Sequence, residues 1–242
     1  MRDVSYENIF RRYELKYLIT AAQRDRLLQT AERYMEPDRY GRSTIRNIYF
    51  DTDNYRIIRR SIEAPAYKEK LRMRSYCRAD GDTPVFAELK KKYHSVVYKR
   101  RISLGEADAE NWLCGGAPCP VKTQIADEID YFRSFYETLR PAVFLSYERE
   151  AFFSKEDSSF RITFDENILC RRDRLTLAAD AWGTPLLADG QVLMEIKTSG
   201  GMPLWLTSFL TSEQIYKTSF SKYGTAYREL IFPELKENFF YV

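Results

Sequence analysis

Four short segments of the chain alternate charged and apolar residues with a period of two. They are residues 12–17 (RYELKY), 68–74 (KEKLRMR), 86–90 (FAELK) and 193–197 (LMEIK). In a β-strand, residues two apart lie on one face, so each segment puts lysine, arginine or glutamate on one face and apolar residues on the other. Arginine binds phosphate oxygens bidentately, and glutamate supplies the oxygen ligands that Mg²⁺ and Mn²⁺ prefer. The pattern therefore predicts a surface that binds a polyanion and its divalent metal.

Further charged residues follow the same spacing on other predicted strands. The sets that share a face are Lys68, Lys70, Arg72 and Arg74; Glu88 and Lys90; Lys99 and Arg101; Tyr147 and Arg149; Arg161, Thr163 and Asp165; and Glu195 and Lys197. Phosphoryl transfer needs in-line positioning and charge neutralisation more than a covalent nucleophile. One well-placed donor stabilises a transition state by about 3 kcal/mol. Phosphoryl transfer is therefore the chemistry that these residues suit.

Eight strands with inserted helices are predicted to position the charged residues. The strands are predicted at residues 11–19, 43–50, 67–76, 85–92, 95–104, 142–152, 160–165 and 191–198. Helices are predicted at residues 55–62, 107–113, 123–139 and 221–230. Two further helices are predicted to begin after a capping box at Thr20 and at Pro203. Repeated charged faces favour a closed barrel over an open sheet. We therefore predict a single α+β domain over residues 1–242, a closed antiparallel eight-stranded β-barrel with charged side chains in its lumen and helices packed on its outside.

Composition and motifs exclude several other classes of protein. The net charge is only +3, from 38 basic and 35 acidic residues, so bulk charge predicts no nucleic-acid binding. The single histidine, His94, lies in a predicted turn, and no CxxC pair indicates zinc. Residues 199–201 (SGG) lack the Gly-Lys-Ser/Thr ending of a P-loop. The polar first twelve residues and the lack of an apolar run of about 20 residues predict a cytoplasmic protein without direct membrane insertion.

At its charged segments the chain resembles the VTC domain, the polyphosphate polymerase catalytic domain of the CYTH-like triphosphate tunnel metalloenzyme superfamily. The resemblance covers nearly the whole chain. The matching motifs are residues 12–17 (RYELKY), 49–52 (YFDT), 70–74 (KLRMR), 88–90 (ELK), 146–149 (SYER), 195–197 (EIK) and 221–223 (SKY). Each motif is weak alone, but their order and spacing together are specific.

The resemblance implies a basic tunnel in which the γ-phosphoryl of ATP passes to a growing polyphosphate chain with Mn²⁺ or Mg²⁺. The catalytic cations that it implies are Lys16, Arg72, Arg74, Lys90, Arg149, Arg161, Lys197 and Lys222. Further phosphate contacts are expected from Arg60, Lys70, Lys99 and Arg101. Glu195 is the main metal ligand expected, and Glu14 and Glu88 are further ligands or partners that orient lysines. The expected partners are ATP, polyphosphate and, if the protein works at a membrane, a membrane protein that holds it there.

Two other functions fit the same residues. A triphosphatase of the same superfamily would use water as the acceptor and cleave inorganic triphosphate or a nucleoside triphosphate. A non-catalytic module would bind polyphosphate or nucleotide without turnover. The cationic residues favour anion binding in all three cases, and the carboxylates favour an enzyme.

Overall fold

The computed structural model describes residues 13–94 and 96–240, and side chains as far as residue 236. The strands are β1 (Tyr13–Thr20), β2 (Met35–Pro37), β3 (Ser43–Asp51), β4 (Tyr67–Ser75), β5 (Pro84–Tyr93), β6 (Val96–Gly105), β7 (Arg140–Ser154), β8 (Arg161–Arg171), β9 (Thr184–Pro185), β10 (Gln191–Thr198) and β11 (Lys217–Thr218). The helices are α1 (Ala21–Ala31), α2 (Arg56–Ile62), α3 (Glu106–Leu113), α4 (Gln124–Tyr136), α5 (Leu204–Ser212), α6 (Lys222–Ala226) and α7 (Phe232–Phe240), and a π-helical turn, Tyr227–Ile231, joins the last two. The strand starts predicted at residues 11 and 95 lie outside the described ranges.

The strands form one antiparallel sheet in the order β11-β1-β10-β8-β7-β3-β4-β5-β6, with β2 added to β7 and β9 added to β8. The eight long strands are those that the alternating pattern predicts. The three additional strands contain only two or three residues each, too few to give a periodic signal. The α+β class and the antiparallel pairing are therefore confirmed.

The prediction of a closed eight-stranded barrel is wrong, because the sheet does not close on itself. It ends at β6 and at β11, and the described residues include no strand that pairs with the outer edge of either. To close the sheet, β6 would have to pair with the outer edge of β1. Part of that edge is already taken by β11, which pairs with Lys16 and Tyr17.

The open sheet is nevertheless strongly curled. Five strands separate β1 from β5 in the sheet order. In a flat sheet these two strands would lie about 29 Å apart. Instead, Nζ of Lys90 on β5 lies 3.9 Å from Oε2 of Glu14 on β1. The charged side chains therefore share a concave face, although the backbone of the sheet stays open.

Four helices cover the convex face of the sheet, as predicted. Trp112 of α3 packs in one cluster with Leu71 and Met73 of β4, and α4 joins the same cluster. Leu27 of α1 packs in another with Ile162 of β8, together with α5. Full burial of one such side chain contributes about 1.5–3 kcal/mol. None of the helices in the described ranges is long and apolar enough to span a bilayer.

Helix α6 departs from the predicted arrangement, because it packs on the concave side of the sheet, and α2 contributes to both sides, with Ile58 in the concave-side cluster and Ile57 in the convex-side one. Tyr223 of α6 lies in an apolar cluster with Leu145 of β7, whose side chain is on that side. The buried carboxylate of Asp51 accepts hydrogen bonds from the backbone N–H groups of Ile57 and Ile58 and from the Tyr223 hydroxyl, each at 2.9 Å. This carboxylate ties α2 to α6. The two helices fill the apolar end of the concave face and leave its charged end open.

Candidate functional site

The charged end of the concave face lines a cavity of about 390 Å³. Its charged lining residues are Lys16, Lys70, Arg72, Arg74, Lys90, Lys99, Arg149, Lys197 and Lys222, with Glu14, Glu88 and Glu195. Among the described residues, nine cations thus face three carboxylates, an excess of six formal positive charges. Such an excess within a recess raises the local concentration of anions. A more open groove of about 490 Å³ around Trp182 has two arginines and two carboxylates and so no excess.

Glu195 on β10 is the centre of the first ion cluster. Its carboxylate lies 3.2 Å from Lys16, 3.0 Å from Arg149 and 3.4 Å from Lys222. Behind it, the fully buried Asp165 accepts two hydrogen bonds from Arg149 at 2.5 and 2.6 Å and one from Lys222 at 2.5 Å. Burial alone would raise the pKa of Glu195, but Lys222, Lys16 and Arg149 hold it well below its usual range. The three cations are therefore held in place by the carboxylate of Glu195 and, for Arg149 and Lys222, by that of Asp165 as well.

Glu88 on β5 is the centre of a second ion cluster. In the sheet register it stands between Arg72 on β4 and Arg101 on β6. The carboxylate accepts from Nε of Arg72 at 2.8 Å and from Nε of Arg101 at 2.7 Å, and Nζ of Lys99 lies 2.9 Å away. Burial opposes ionisation of Glu88, but Arg72 and the other cations hold its pKa far below the ordinary value. Both ion clusters thus keep buried carboxylates charged.

Tyrosine and asparagine side chains orient the arginines on β4. Arg72 donates to the Tyr49 hydroxyl at 3.0 Å. Arg74 donates to Oδ1 of Asn47 and to the Tyr147 hydroxyl, both at 2.9 Å. Burial would raise the pKa of Tyr49, but Arg72 and Arg74 more than offset it and lower that pKa to about 8. These contacts fix the guanidinium planes before any ligand binds.

Lys70 and Lys197 are the cations of the cavity with the least compensation. Lys70 donates to Oγ of Ser221 at 3.1 Å. In the described part of the chain, no carboxylate lies within 4.0 Å of either ammonium group. Burial is the main cause that lowers the pKa of each to about 8. An anionic ligand would supply the counter-charge that both lysines lack.

The cavity collects every predicted site residue except three. Arg101 contacts Glu88 but stands outside the lining. Arg161 lies further along β8, with Nη2 at 3.6 Å from Asp38. Arg60 belongs to α2 and lines a separate small cleft beside Tyr67. The geometry therefore gives no support to a phosphate contact by Arg60.

Four residues of the site were not selected from the sequence: Asp165, Tyr147, Asn47 and Tyr49. The alternating pattern offered a signal for two of them, because Asp165 shares a strand face with a selected arginine and Tyr147 lies two residues before another. Asn47 and Tyr49 lie on β3, which sends no charged residue into the cavity. Their role depends on Arg72 and Arg74 of the neighbouring strand, so charge alternation on β3 carries no signal for it, although Tyr49 begins the matching motif at residues 49–52.

The carboxylates of the cavity fit a divalent metal that arrives with phosphates. Oε1 of Glu14 and Oε1 of Glu195 lie 3.4 and 3.2 Å from the same ammonium group of Lys16. No set of three His, Cys, Asp or Glu residues within the described ranges forms a complete cage. Mg²⁺ is commonly held by one or two carboxylates together with substrate phosphates, so a two-glutamate site is sufficient. Glu88 fits less well, because none of its cation partners, Arg72, Lys99 and Arg101, also contacts a second carboxylate among the described residues.

A curled antiparallel sheet with a cation-rich concave face and paired glutamates defines a protein of the triphosphate tunnel type. The family model described as the VTC domain matches residues 11–231, nearly the whole chain. The chain therefore belongs to the VTC-domain family, which confirms the resemblance of its motifs. No curated protein matches it.

The solved structures that match the chain are distant from it in sequence. A candidate adenylate cyclase from Bacillus halodurans is 15% identical, with a TM-score of 0.54, and the match covers 86% of this chain and 92% of that one. A candidate adenylate cyclase from Vibrio parahaemolyticus is 12% identical, with a TM-score of 0.45 and coverage of 88% and 96%. A Pyrococcus horikoshii protein is 12% identical, with a TM-score of 0.39 and coverage of 92% and 99%. At these identities, the Bacillus halodurans match shows a shared fold alone.

Proposed function

We propose that the protein is a metal-dependent polyphosphate polymerase that transfers the γ-phosphoryl of ATP to a growing polyphosphate chain. The observation that carries the proposal is the excess of six positive charges in the concave cavity, held by two buried ion clusters. Membership of the VTC-domain family supports the same reading. Polyphosphate and the triphosphate of ATP are both linear polyanions, so one cation-rich cavity suits donor and acceptor.

The arginines and lysines have complementary roles in this proposal. Arg72, Arg74 and Arg149 have guanidinium planes fixed by buried partners, which suits bidentate contact with phosphate oxygens. Lys16 and Lys222 are held by carboxylates and supply point charges beside Arg149. Because these groups are positioned in advance, they do not need to reorganise as charge develops in the transition state.

The proposed transfer needs no histidine and no covalent enzyme intermediate. A terminal oxygen of the acceptor chain attacks the γ-phosphorus of ATP in line. The bond from that phosphorus to the β,γ-bridging oxygen breaks, and ADP leaves with the electron pair. The attacking phosphate oxygen is already anionic, so no strong general base is needed. Each well-placed cation can contribute about 3 kcal/mol of transition-state stabilisation.

Mn²⁺ or Mg²⁺ is part of the proposal, with Glu195 and Glu14 as its protein ligands. When bound, the metal would neutralise charge on the phosphates and orient them. Glu88 instead orients Arg72 and Lys99, which is the second of the two roles considered for it from the sequence.

The test is incubation of the purified protein with ATP and Mn²⁺ or Mg²⁺, with ADP and long-chain polymer both measured. We expect equal amounts of ADP and of phosphate incorporated into polymer. Arg72→Ala and Arg74→Ala are expected to lose nucleotide binding and keep the fold. Arg78→Ala is the matched control, because Arg78 is exposed and pairs with Asp180 outside the cavity. Unchanged nucleotide affinity in both cavity variants would refute their proposed role.

Product analysis also separates the competing functions. Release of inorganic phosphate without polymer would reject the polymerase and indicate the triphosphatase. Tight, salt-sensitive binding without turnover would indicate a non-catalytic module, and Glu195→Gln would then change nothing that is measured. A cytoplasmic location, a membrane partner and the absence of nucleic-acid partners stay predictions from the sequence.

A further inference from the structure

A second pocket, which we call the side pocket, adjoins the main cavity at the outer ends of β4 and β5. It has a volume of about 240 Å³ and shares Lys70, Lys90 and Ser221 with the main cavity. Its remaining cations are Lys68, Lys92 and Arg228. The shared residues make the side pocket an extension of the phosphate-binding surface.

The lysines of the side pocket repel one another. Lys68 stands directly opposite Lys92 in the β4–β5 register, and Lys70 stands opposite Lys90. Like charges in opposed positions destabilise a sheet. Burial, Lys92 and Lys90 lower the pKa of Lys68 accordingly. These two pairs therefore lower the stability of the empty protein, and an anion bound between them would remove the repulsion.

The chain supplies almost no counter-charge to these lysines. Glu69 is the only carboxylate among the described residues that line the side pocket. Its two oxygens accept from the hydroxyls of Tyr67 at 2.6 Å and Tyr136 at 2.8 Å, on the side of β4 that faces α4. No described carboxylate lies within 4.0 Å of Lys68, Lys92 or Arg228, and the closest to Lys90 is Glu14 at 3.9 Å.

One face of β4 thus carries two kinds of cation. At its inner end, Arg72 and Arg74 are fixed by Glu88, Tyr49 and other polar partners. At its outer end, Lys68 and Lys70 have no carboxylate partner within 4.0 Å in the part of the chain that the structure describes. Arg74 lies six residues after Lys68 along the strand, a distance of about 20 Å. This row of four cations extends well beyond what the triphosphate of one nucleotide can contact.

We propose that the side pocket binds the continuation of a linear phosphate chain that leaves the main cavity over Lys70 and Lys90. Lys68, Lys92 and Arg228 contact phosphates that a triphosphate does not possess, so they select long chains over short ones. This inference rests on the proposed function for its ligand class, a linear polyphosphate, and does not depend on turnover.

The test compares the dissociation constants of tripolyphosphate and of long-chain polyphosphate, measured by calorimetry with EDTA and without nucleotide. The variant is Lys68→Met with Lys92→Met, which removes an opposed pair of like charges and so is expected to fold. The matched control is Lys122→Met with Lys155→Met, two exposed lysines outside both pockets that give the same change of charge. We expect long-chain affinity to fall about tenfold or more in the variant and about twofold or less in the control. Tripolyphosphate affinity is expected to stay within about twofold of the original protein in both.

Two results would overturn the proposal. One is a long-chain affinity that falls no further in the pocket variant than in the control. The other is an equal loss for tripolyphosphate, which would assign these lysines to the triphosphate site. If the double variant does not fold, Arg228→Gln on the exposed side of the π-helical turn is tested against the same criteria. The experiment measures binding and no product, so its outcome is independent of the proposed polymerase activity. A hydrolase or a binding module could select long chains in the same way, and a polymerase could lack this selectivity.

Discussion

Replacing Lys70 by methionine is expected to stabilise the empty protein and to weaken its affinity for phosphate chains. Lys70 is half-buried, and within the described ranges its only hydrogen bond is to Ser221 and no carboxylate neutralises it. Methionine has a similar length and no charge, so it removes the cost of the buried ammonium group and keeps most of its packing.

The size of the effect follows from the pKa of Lys70. Burial lowers that pKa from the ordinary 10.5 to about 8. At neutral pH this difference corresponds to about 3 kcal/mol against the charged form in the folded state. Solvent screening relieves part of that cost at a half-buried site, so we expect a gain of about 1–2 kcal/mol in the free energy of unfolding. For a chain of this size, the gain raises Tm by about 3–6 °C.

The stabilisation by methionine depends on pH with a definite sign. The folded state binds Lys70's proton more weakly than the unfolded state does, so the penalty is complete below pH 8. It disappears as pH rises from 8 towards 10.5, because the folded protein then releases the proton first. Thermal unfolding from pH 7 to 10 would therefore show a shrinking advantage for Lys70→Met.

The control for Lys70→Met is Lys91→Met on the convex side of the next strand, where Lys91 lies 3.7 Å from Glu128. We expect the control to leave Tm unchanged or lower. Binding of tripolyphosphate to Lys70→Met is expected to weaken about tenfold, and to the control about twofold at most. A Tm that falls in Lys70→Met, or an affinity that stays the same, would refute the view that Lys70 is a strained, ligand-binding cation.

Three further predictions concern the same cavity. Binding of tripolyphosphate is expected to take up protons above pH 8 and to weaken as pH rises, because Lys70 and Lys197 have pKa values of about 8 in the empty protein and a bound anion raises them. Calorimetry in two buffers of different ionisation enthalpy measures this proton uptake, and its absence would contradict the prediction. Glu195→Gln is expected to lower turnover about a hundredfold, because it removes a metal ligand. It is not expected to weaken tripolyphosphate binding in EDTA, because it also removes a negative charge from the cavity. Unchanged turnover would reject the proposed role of Glu195 in metal binding. Asp165→Asn is expected to lower the free energy of unfolding by about 3–5 kcal/mol, because the two buried cations Arg149 and Lys222 lose their shared carboxylate. Chemical denaturation compares this variant with the control Asp180→Asn at an exposed position, and equal losses of stability in the two would contradict the prediction.

Local features of the fold were predictable wherever side-chain type alone decides them. The capping box at Thr20 and Gln23 is present at the start of α1, with Oγ1 of Thr20 accepting from the Gln23 backbone at 3.1 Å. The alternating charges placed Arg72, Arg74 and Lys197 on the concave face, because a period of two leaves a strand residue only two faces to occupy.

Closure of the sheet was not predictable from alternation. Whether two edges meet depends on backbone pairing, and alternation on each strand is the same for a closed barrel and a curled open sheet. The edge of β1 is taken by the two-residue strand β11, which has no periodic signal. The positions of Arg60 and Arg161 show a second limit, because correct secondary structure did not fix how far along each element the cavity extends.

Among residues 13–94 and 96–240, no strand pairs with the outer edge of β6, and this edge affects association between copies of the protein. An exposed edge strand offers backbone N–H and C=O groups to any second strand, and aggregation commonly begins there. On β6 the exposed Val97 and Tyr98 are followed at once by Lys99, Arg100 and Arg101. Two such edges brought together would set these positive charges against one another, so the three residues disfavour the addition of a neighbouring molecule to the sheet.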